Sequence, residues 1–176
     1  MEMDLEPRDI LAKLNWRLLV IHFIACFLFV YGFKLFGILH DLGIVSVYNK
    51  YKKIDSLAIS RISIDAVWVA TAQLVGLLSS YLLSLFISIK HKWSRVNSLV
   101  VLVVSYFLWR AGLFGWSQLS FIFLAPGSFF KDDVIWFYLI NGSVMLGFGL
   151  MLFYSKWTIQ FIDRNAPKTV EGVVEQ

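Results

Sequence analysis

Four polar residues lie inside or beside long apolar runs of this sequence, at positions that could form one site. They are Lys34, Asp65, Gln73 and Arg110. Ionisable side chains are costly in a bilayer and usually face other helices, where they pair or mark a functional site. If successive helices alternate in direction, Lys34, Asp65 and Arg110 lie at one depth near the outer surface, and Gln73 lies two turns deeper than Asp65 on the same face. This predicts a ligand-binding polar layer for a lipid headgroup, a quinone or a small anion.

The same residues also have a structural interpretation, which is an alternative to the ligand-binding layer. The long side chains of Lys34 and Arg110 could extend their charges to the membrane interface. Lys34 would then end the first helix there, near Asp41, Asp65 or the headgroups. The amide of Gln73, like that of Asn141, would make an interhelical hydrogen bond worth about 0.6 to 2 kcal/mol.

Histidine and cysteine residues give no sign of a metal or redox site. His22, His40 and His91 show no spacing typical of metal or haem ligation, so we expect His22 to pack between helices and His91 to be solvated. Cys26 is the single cysteine, which excludes an internal disulfide. The sequence contains no phosphate-binding glycine loop, HExxH or GxSxG. We therefore predict no catalytic residue, no metal site and no required cofactor.

Small residues recur at helical spacing in two of the apolar runs and predict close helix packing. They are Ala72, Gly76, Ser80, Ser84 and Ser88 in the second run, with Ser143 and Gly147 in the fourth. Small side chains at intervals of four let two helix backbones approach within a membrane. No base lies at triad-like spacing from the serines, so packing is favoured over catalysis.

Composition places the chain among integral membrane proteins. Hydrophobic residues make up 59% of the 176, the mean hydropathy is +0.71, and only 16% of residues are charged. One soluble core of this size could not bury so much apolar surface. The net charge of +4 comes from short basic clusters between apolar runs, which is typical of membrane topology and not of nucleic-acid binding.

The apolar runs predict an all-α bundle of four transmembrane helices. Each run approaches the roughly 20 residues that a bilayer requires. The spans lie at about 18–39, 64–89, 96–114 and 134–155, after an N-terminal segment 1–17 and before a polar tail 156–176. The short connection 90–95 predicts a hairpin, and segments 40–62 and 115–130 are predicted to be interfacial, the second alternatively re-entrant.

Basic residues orient this arrangement with both termini in the cytoplasm, because cytoplasmic segments carry more Lys and Arg. Nine would lie inside: Arg8, Lys13, Arg17, Lys90, Lys92, Arg95, Lys156, Arg164 and Lys168. Five would lie outside: Lys50, Lys52, Lys53, Arg61 and Lys131. The predicted location is a bacterial cytoplasmic (inner) membrane.

Short motifs in three of the runs resemble the DoxX-like family of small four-helix membrane proteins. Arg17 is followed, after fourteen residues, by Gly-Phe-Lys-Leu-Phe-Gly at 32–37, which is similar to the family's first helix. The run AQLVGLLSSYLLSL (72–85) resembles its Glu-Leu-x-Gly-Gly pattern, with Gln73 in place of the glutamate. The glycine-bearing run 137–163 resembles its last helix. The resemblance implies a four-helix bundle associated with membrane oxidoreductase complexes or with accessory roles.

Two functions follow as expectations. The first is a non-catalytic membrane subunit or assembly factor of a larger complex, with the lipid bilayer and other membrane proteins as partners. The alternative is a quinone- or lipid-handling oxidoreductase component that uses the outer polar layer. A quinone is a possible cofactor for the alternative, and Lys34, Gln73 and Arg110 are then its expected contacts.

Overall fold

Helices account for nearly all of the chain that the structure describes. The computed structural model describes residues 14–52, 66–113, 127, 129 and 134–164, with the backbone alone described at 41–52, 66 and 134. The predicted all-α class is confirmed for these residues. The helices are α1 (Trp16–Lys52), α2 (Ala66–Lys90), α3 (Arg95–Arg110), α4 (Val134–Tyr154) and α5 (Lys156–Asp163).

Three of these helices are long and apolar enough to cross a membrane. The spans are Trp16–His40 in α1, Val67–Lys90 in α2 and Ile135–Tyr154 in α4. The third predicted span coincides with α3, which has 16 residues and is therefore about 24 Å long at 1.5 Å per residue. This is shorter than the roughly 30 Å hydrocarbon core of a typical bilayer.

The first helix is longer than the sequence predicts. It continues to Lys52, whereas we expect from the sequence an end near residue 39 and an interfacial segment over 40–62. No proline interrupts residues 40–52, and a single glycine, Gly43, costs a helix only about 1 kcal/mol. Lys34 therefore lies well inside the helix and does not end it. Residues 53–62 lie outside the described part of the chain.

Helix α1 is the centre of the protein, because its side chains enter three separate apolar clusters. Leu18, Ala25 and Phe29 pack with side chains of α2, α4 and α5. On another side, Cys26 and Val30 pack with residues of α2 and α3. A third cluster joins Leu28, Tyr31 and Leu35 to Met145 of α4. The first helix is thus covered from several directions, although Trp16, Val20 and Ile24 are exposed, as are large apolar side chains of α2 and α4.

Glycines mark the places where α1 approaches its neighbours most closely. A Cβ atom on Gly76 of α2 would lie 2.8 Å from the carbonyl oxygen of Phe29 and 3.0 Å from the Cα of Val30. On the α4 side, a Cβ on Gly149 would lie 2.7 Å from the Phe29 ring. The atoms close to Gly76 belong to the backbone of α1, so Gly76 sets the distance between α1 and α2, whereas at Gly149 the close atoms belong to the Phe29 side chain.

The turn between α2 and α3 is short, as the sequence predicts. Lys92 has a left-handed backbone (φ 56°) that reverses the chain, and the backbone N–H of Trp93 donates to the Ser88 carbonyl over 2.8 Å. Helix α3 begins after Ser94, whose extended backbone ends the turn. The two helices pack against each other as a hairpin.

Residues 156–163 form helix α5, although the sequence predicts a polar tail from 156 onward. The helix lies against the start of α1 and the α2–α3 turn. The side-chain amide of Asn15 donates to the Ile162 carbonyl over 3.2 Å, and the indole N–H of Trp93 donates to Asp163 Oδ1 over 2.7 Å. Ile162 is buried, with 1% of its surface exposed. These contacts stabilise a helix that is too short to be stable alone.

Replacing Trp93 by phenylalanine should loosen α5. The substitution keeps the buried ring but removes the hydrogen bond to Asp163, which we expect to cost about 1 to 1.4 kcal/mol because that carboxylate is exposed to water. Hydrogen exchange at the Ile159 amide should then rise about five- to tenfold. Trp157→Phe is the control, because Trp157 is 84% exposed. Equal exchange in both variants would contradict docking through Trp93.

Candidate functional site

A chain of buried polar side chains links α1, α2 and α3 near the start of α1. The Nδ1 atom of His22 lies 2.7 Å from the Ser84 hydroxyl, which in turn donates to the Ser98 hydroxyl over 2.8 Å. Ser88 Oγ lies 3.0 Å from Ser98 Oγ. At most 1% of the surface of any of these four residues is exposed. We call this group the His22–serine network.

The directions of the hydrogen bonds in the His22–serine network assign the imidazole proton to one of the two ring nitrogens. Ser84 has one hydroxyl proton, which it donates to Ser98. With this direction of the Ser84–Ser98 hydrogen bond, Nδ1 of His22 is assigned as the donor to Ser84, and a neutral ring then carries its proton on Nδ1. The Nε2 atom then presents a lone pair, and it has no hydrogen-bond partner among the residues that the structure describes.

The environment of His22 limits the chemistry that it can perform. The imidazole lies edge-on to the Phe153 ring, with centroids 4.9 Å apart, and 6.2 Å from the Trp93 ring. Because Nδ1 donates to Ser84, it does not act as a base toward that hydroxyl, and this arrangement differs from a serine nucleophile with its general base. The network instead holds three helices in register through directed hydrogen bonds in an apolar environment.

A second small polar cluster surrounds the cysteine, about one helical turn farther along α1. Ser80 and Ser105 lie near the Cys26 thiol, but the Ser105 hydroxyl makes no hydrogen bond to the residues that the structure describes. Ser80 also donates to the Leu77 carbonyl over 2.8 Å. All three side chains are buried, so this cluster joins the same helices as the His22–serine network.

The small-residue face of α2 is buried where it meets α1 and α3. Gly76, Ser80, Ser84 and Ser88 are buried, and Ala72 lies beside Gly37, where an added Cβ would be 3.0 Å from the Ala72 Cβ. The spacing of Ser84 and Ser88 predicts packing alone and does not reveal that both bond to Ser98. One feature of the sequence could have indicated a polar network here. His22 is a polar residue in the first apolar run, and it lies at the same depth in the membrane as Ser84 and Ser88 of α2.

In α4 the residues that pack differ from those the spacing suggests. Ser143 and Gly147 are exposed, and a Cβ on Gly147 would meet no atom within 4 Å. The face that packs on α1 contains Gly142, Met145 and Gly149 instead. Ser143 and Gly147 therefore make no close helix contact within the part of the chain that the structure describes, and their packing against another helix stays a prediction.

The structure describes Lys34, Gln73 and Arg110, three of the four residues predicted to form an outer polar layer. Gln73 accepts a hydrogen bond from the Trp109 indole over 3.1 Å, which joins α2 to α3. The Lys34 ammonium is half-buried and lies 5.2 Å from the centroid of the Tyr31 ring. Arg110 is exposed at the last position of α3, and Asp65 lies outside the described residues. The contacts described for Lys34 do not join it to Gln73 or Arg110, and a quinone or lipid site in this layer stays a prediction.

Asn141 of α4 is fully buried and forms a hydrogen bond with the backbone of Gly127, which precedes the helix in the sequence. Its Oδ1 atom accepts a hydrogen bond from the Gly127 backbone N–H over 2.8 Å. A Cβ on Gly127 would overlap the Asn141 amide, so this contact requires glycine. The remainder of the predicted interfacial segment 115–130 is outside the described residues, except for Phe129, which is exposed.

Comparison with known proteins supplies no relative on which to base a function. No protein-family model, curated protein or solved structure matches this chain. The comparisons therefore bear neither for nor against the resemblance to the DoxX-like family, which depends on short motifs in three of the helices.

Proposed function

We propose that the protein is a non-catalytic integral membrane subunit, or an assembly factor, of a larger membrane complex. The observation that carries this proposal is the outward side of α4, where Ser143 and Gly147 lie exposed one helical turn apart. The resemblance to the DoxX-like family supports a redox-associated complex as the assembly concerned.

The outward side of α4 has the character of a helix-binding surface. Only 22% of its most apolar stretch is buried, against 56% for α1. Phe148 and Met151 are more than half exposed beside Gly147. In a bilayer, apolar side chains gain nothing by leaving lipid for a partner, so helices associate where small residues allow close backbone contact. Ser143 and Gly147 provide such a position, and no other part of the described chain occupies it.

The proposed membrane arrangement follows the sequence prediction in four spans with both termini cytoplasmic. The support is that the start of α1, the α2–α3 turn and α5 lie together, as the bonds of Asn15 and Trp93 to α5 require. The basic residues of these segments favour placing this end in the cytoplasm of a bacterial cell. Helix α3 then crosses most of the hydrocarbon core of the bilayer. The longer helices α1 and α2, which pack against it, extend through the rest.

The double substitution Ser143→Leu and Gly147→Leu should release the protein from its complex without unfolding it. Leucine at these positions would separate α4 from a partner helix, and we expect about a tenfold loss of complex, equivalent to about 1.4 kcal/mol. Native gel electrophoresis of solubilised membranes, followed by mass spectrometry of the protein's band, would measure the loss. The melting temperature of the isolated protein should not fall, because Gly147 faces open space.

Thr71→Leu is the matched control for this experiment. Thr71 is an exposed small residue of α2, and its hydroxyl bonds only within its own helix, to the Val67 carbonyl. This variant should keep the complex intact. A wild-type protein that migrates alone would overturn the proposal, as would a doubly substituted protein that remains in a complex of unchanged composition.

A further inference from the structure

Helix α5 presents a polar and aromatic surface at the end of the protein where basic residues collect. Ile159 and Ile162 face the apolar cluster, whereas Trp157 and Gln160 are exposed. Within the described chain this end carries six Lys and Arg residues against one acidic residue, Asp163: they are Arg17, Lys90, Lys92, Arg95, Lys156 and Arg164. A short amphipathic helix with an aromatic side and basic neighbours is typical of a segment at the interface of an anionic membrane.

A groove of about 530 Å³ lies between α5 and α1. One part of its lining is apolar, formed by Ile21 and the aromatic rings of α5. The other part is polar, and includes Thr158, Gln160 and Arg164. A groove with both kinds of lining suits an amphiphile, which could place its acyl chain along Ile21 and its headgroup at the polar side chains.

Arginine side chains give this groove a positive charge. Arg164 is part of the lining, and the Arg17 guanidinium lies 4.5 Å from the centroid of the Phe161 ring, which also lines the groove. Arg17 also donates to the Phe161 carbonyl over 3.1 Å, which fixes the wall of the groove. Asp163, the acidic residue of α5, accepts a hydrogen bond from the indole N–H of Trp93 at the α2–α3 turn. The charge within reach of the groove therefore favours an anion.

We propose that this groove binds the headgroup of an anionic phospholipid, with Arg164 contacting its phosphate and Trp157 at the level of the headgroups. Aromatic rings of this kind are enriched at the membrane interface. The acyl chain lies along Ile21, beside the apolar stretch of α1. This site is separate from the outward side of α4 and does not depend on the proposed partner helix.

Short-chain phosphatidylglycerol added to the detergent-solubilised full-length protein tests the proposal, with native mass spectrometry counting bound lipids. We expect a saturable adduct that phosphatidylcholine of equal chain length does not form. Arg164→Gln should weaken its affinity about fivefold, the effect of one basic residue at a membrane surface. Arg95→Gln is the matched control, because Arg95 is exposed at the same end but does not line the groove.

The same experiment contains the results that would overturn the proposal. Equal weakening by Arg164→Gln and Arg95→Gln would show a diffuse attraction in place of a site. Equal binding of phosphatidylcholine would remove the requirement for negative charge. Competition by inorganic phosphate at the lipid's own concentration would identify a free anion as the ligand. Melting temperatures of both variants without lipid should match that of the wild type, since both side chains are exposed.

Discussion

Gly76→Val should destabilise this protein strongly, because it forces two central helices apart. Its Cβ would lie 2.8 Å from the Phe29 carbonyl oxygen and 3.0 Å from the Val30 Cα, both of which belong to the backbone of α1. A side chain could rotate away, but a backbone cannot, so α1 and α2 must separate. We expect the free energy of unfolding to fall by about 3 kcal/mol or more, at the upper end of overpacking costs. Unfolding by SDS in mixed micelles, followed by circular dichroism, would measure it.

Gly147→Ala is the control for Gly76→Val. Both positions are helical glycines, but a Cβ on Gly147 meets nothing within 4 Å. We expect this variant to be as stable as the wild type or more stable by up to about 1 kcal/mol, since alanine is the better helix former. If Gly76→Val unfolds at the same SDS fraction as the wild type, the close approach of α1 and α2 is wrong.

The second large effect should come from removing His22. His22→Ala leaves a cavity beside Phe153 and Trp93 and deprives Ser84 of its hydrogen-bond donor. Loss of a large buried side chain together with a buried hydrogen bond should lower the free energy of unfolding by about 2 to 4 kcal/mol. The same SDS titration would measure this loss.

Comparison of four further variants, which are His22→Asn, His22→Leu, Ser84→Ala and the combination of the last two, separates packing from hydrogen bonding at this position. His22→Asn should recover part of the stability lost in His22→Ala, because the asparagine amide can donate where Nδ1 does. His22→Leu fills the volume without donating. Combining His22→Leu with Ser84→Ala in a double-mutant cycle should reveal a coupling of about 0.5 to 2 kcal/mol. Zero coupling, with His22→Leu as stable as the wild type, would show that the His22–serine network contributes nothing.

Both effects reflect the central position of α1. Gly76 limits how closely α2 lies to it, and His22 fixes the register of α2 and α3 along it through Ser84 and Ser98. Close contact at one point and directed hydrogen bonds at another hold helices together where the hydrophobic effect between them is absent. Helix α4 packs on α1 with apolar contacts and glycines, which leaves its opposite side available for a partner.

The sequence by itself determined the class of the protein and the positions of its long helices. Runs of about 20 apolar residues without proline leave few alternatives, because the backbone polar groups of a lipid-exposed segment must bond within that segment. The small residues Gly76, Ser80, Ser84 and Ser88, whose spacing is visible in the sequence, lie on a buried side of α2. Each of these inferences uses residues close together in the chain, and local spacing is what a sequence displays.

Only the tertiary structure decided which sides of the helices meet and where α1 ends. Helix α4 is apolar all round, so no polar side distinguished the exposed Ser143 and Gly147 from Gly142 and Gly149 at the interface. His22 and Ser84 are separated by 62 positions, and nothing local pairs them. The same is true of Asn15 with Ile162, and of Trp93 with Asp163, which dock α5 on the protein. These contacts depend on packing between distant segments, and hydropathy along one chain does not encode that choice.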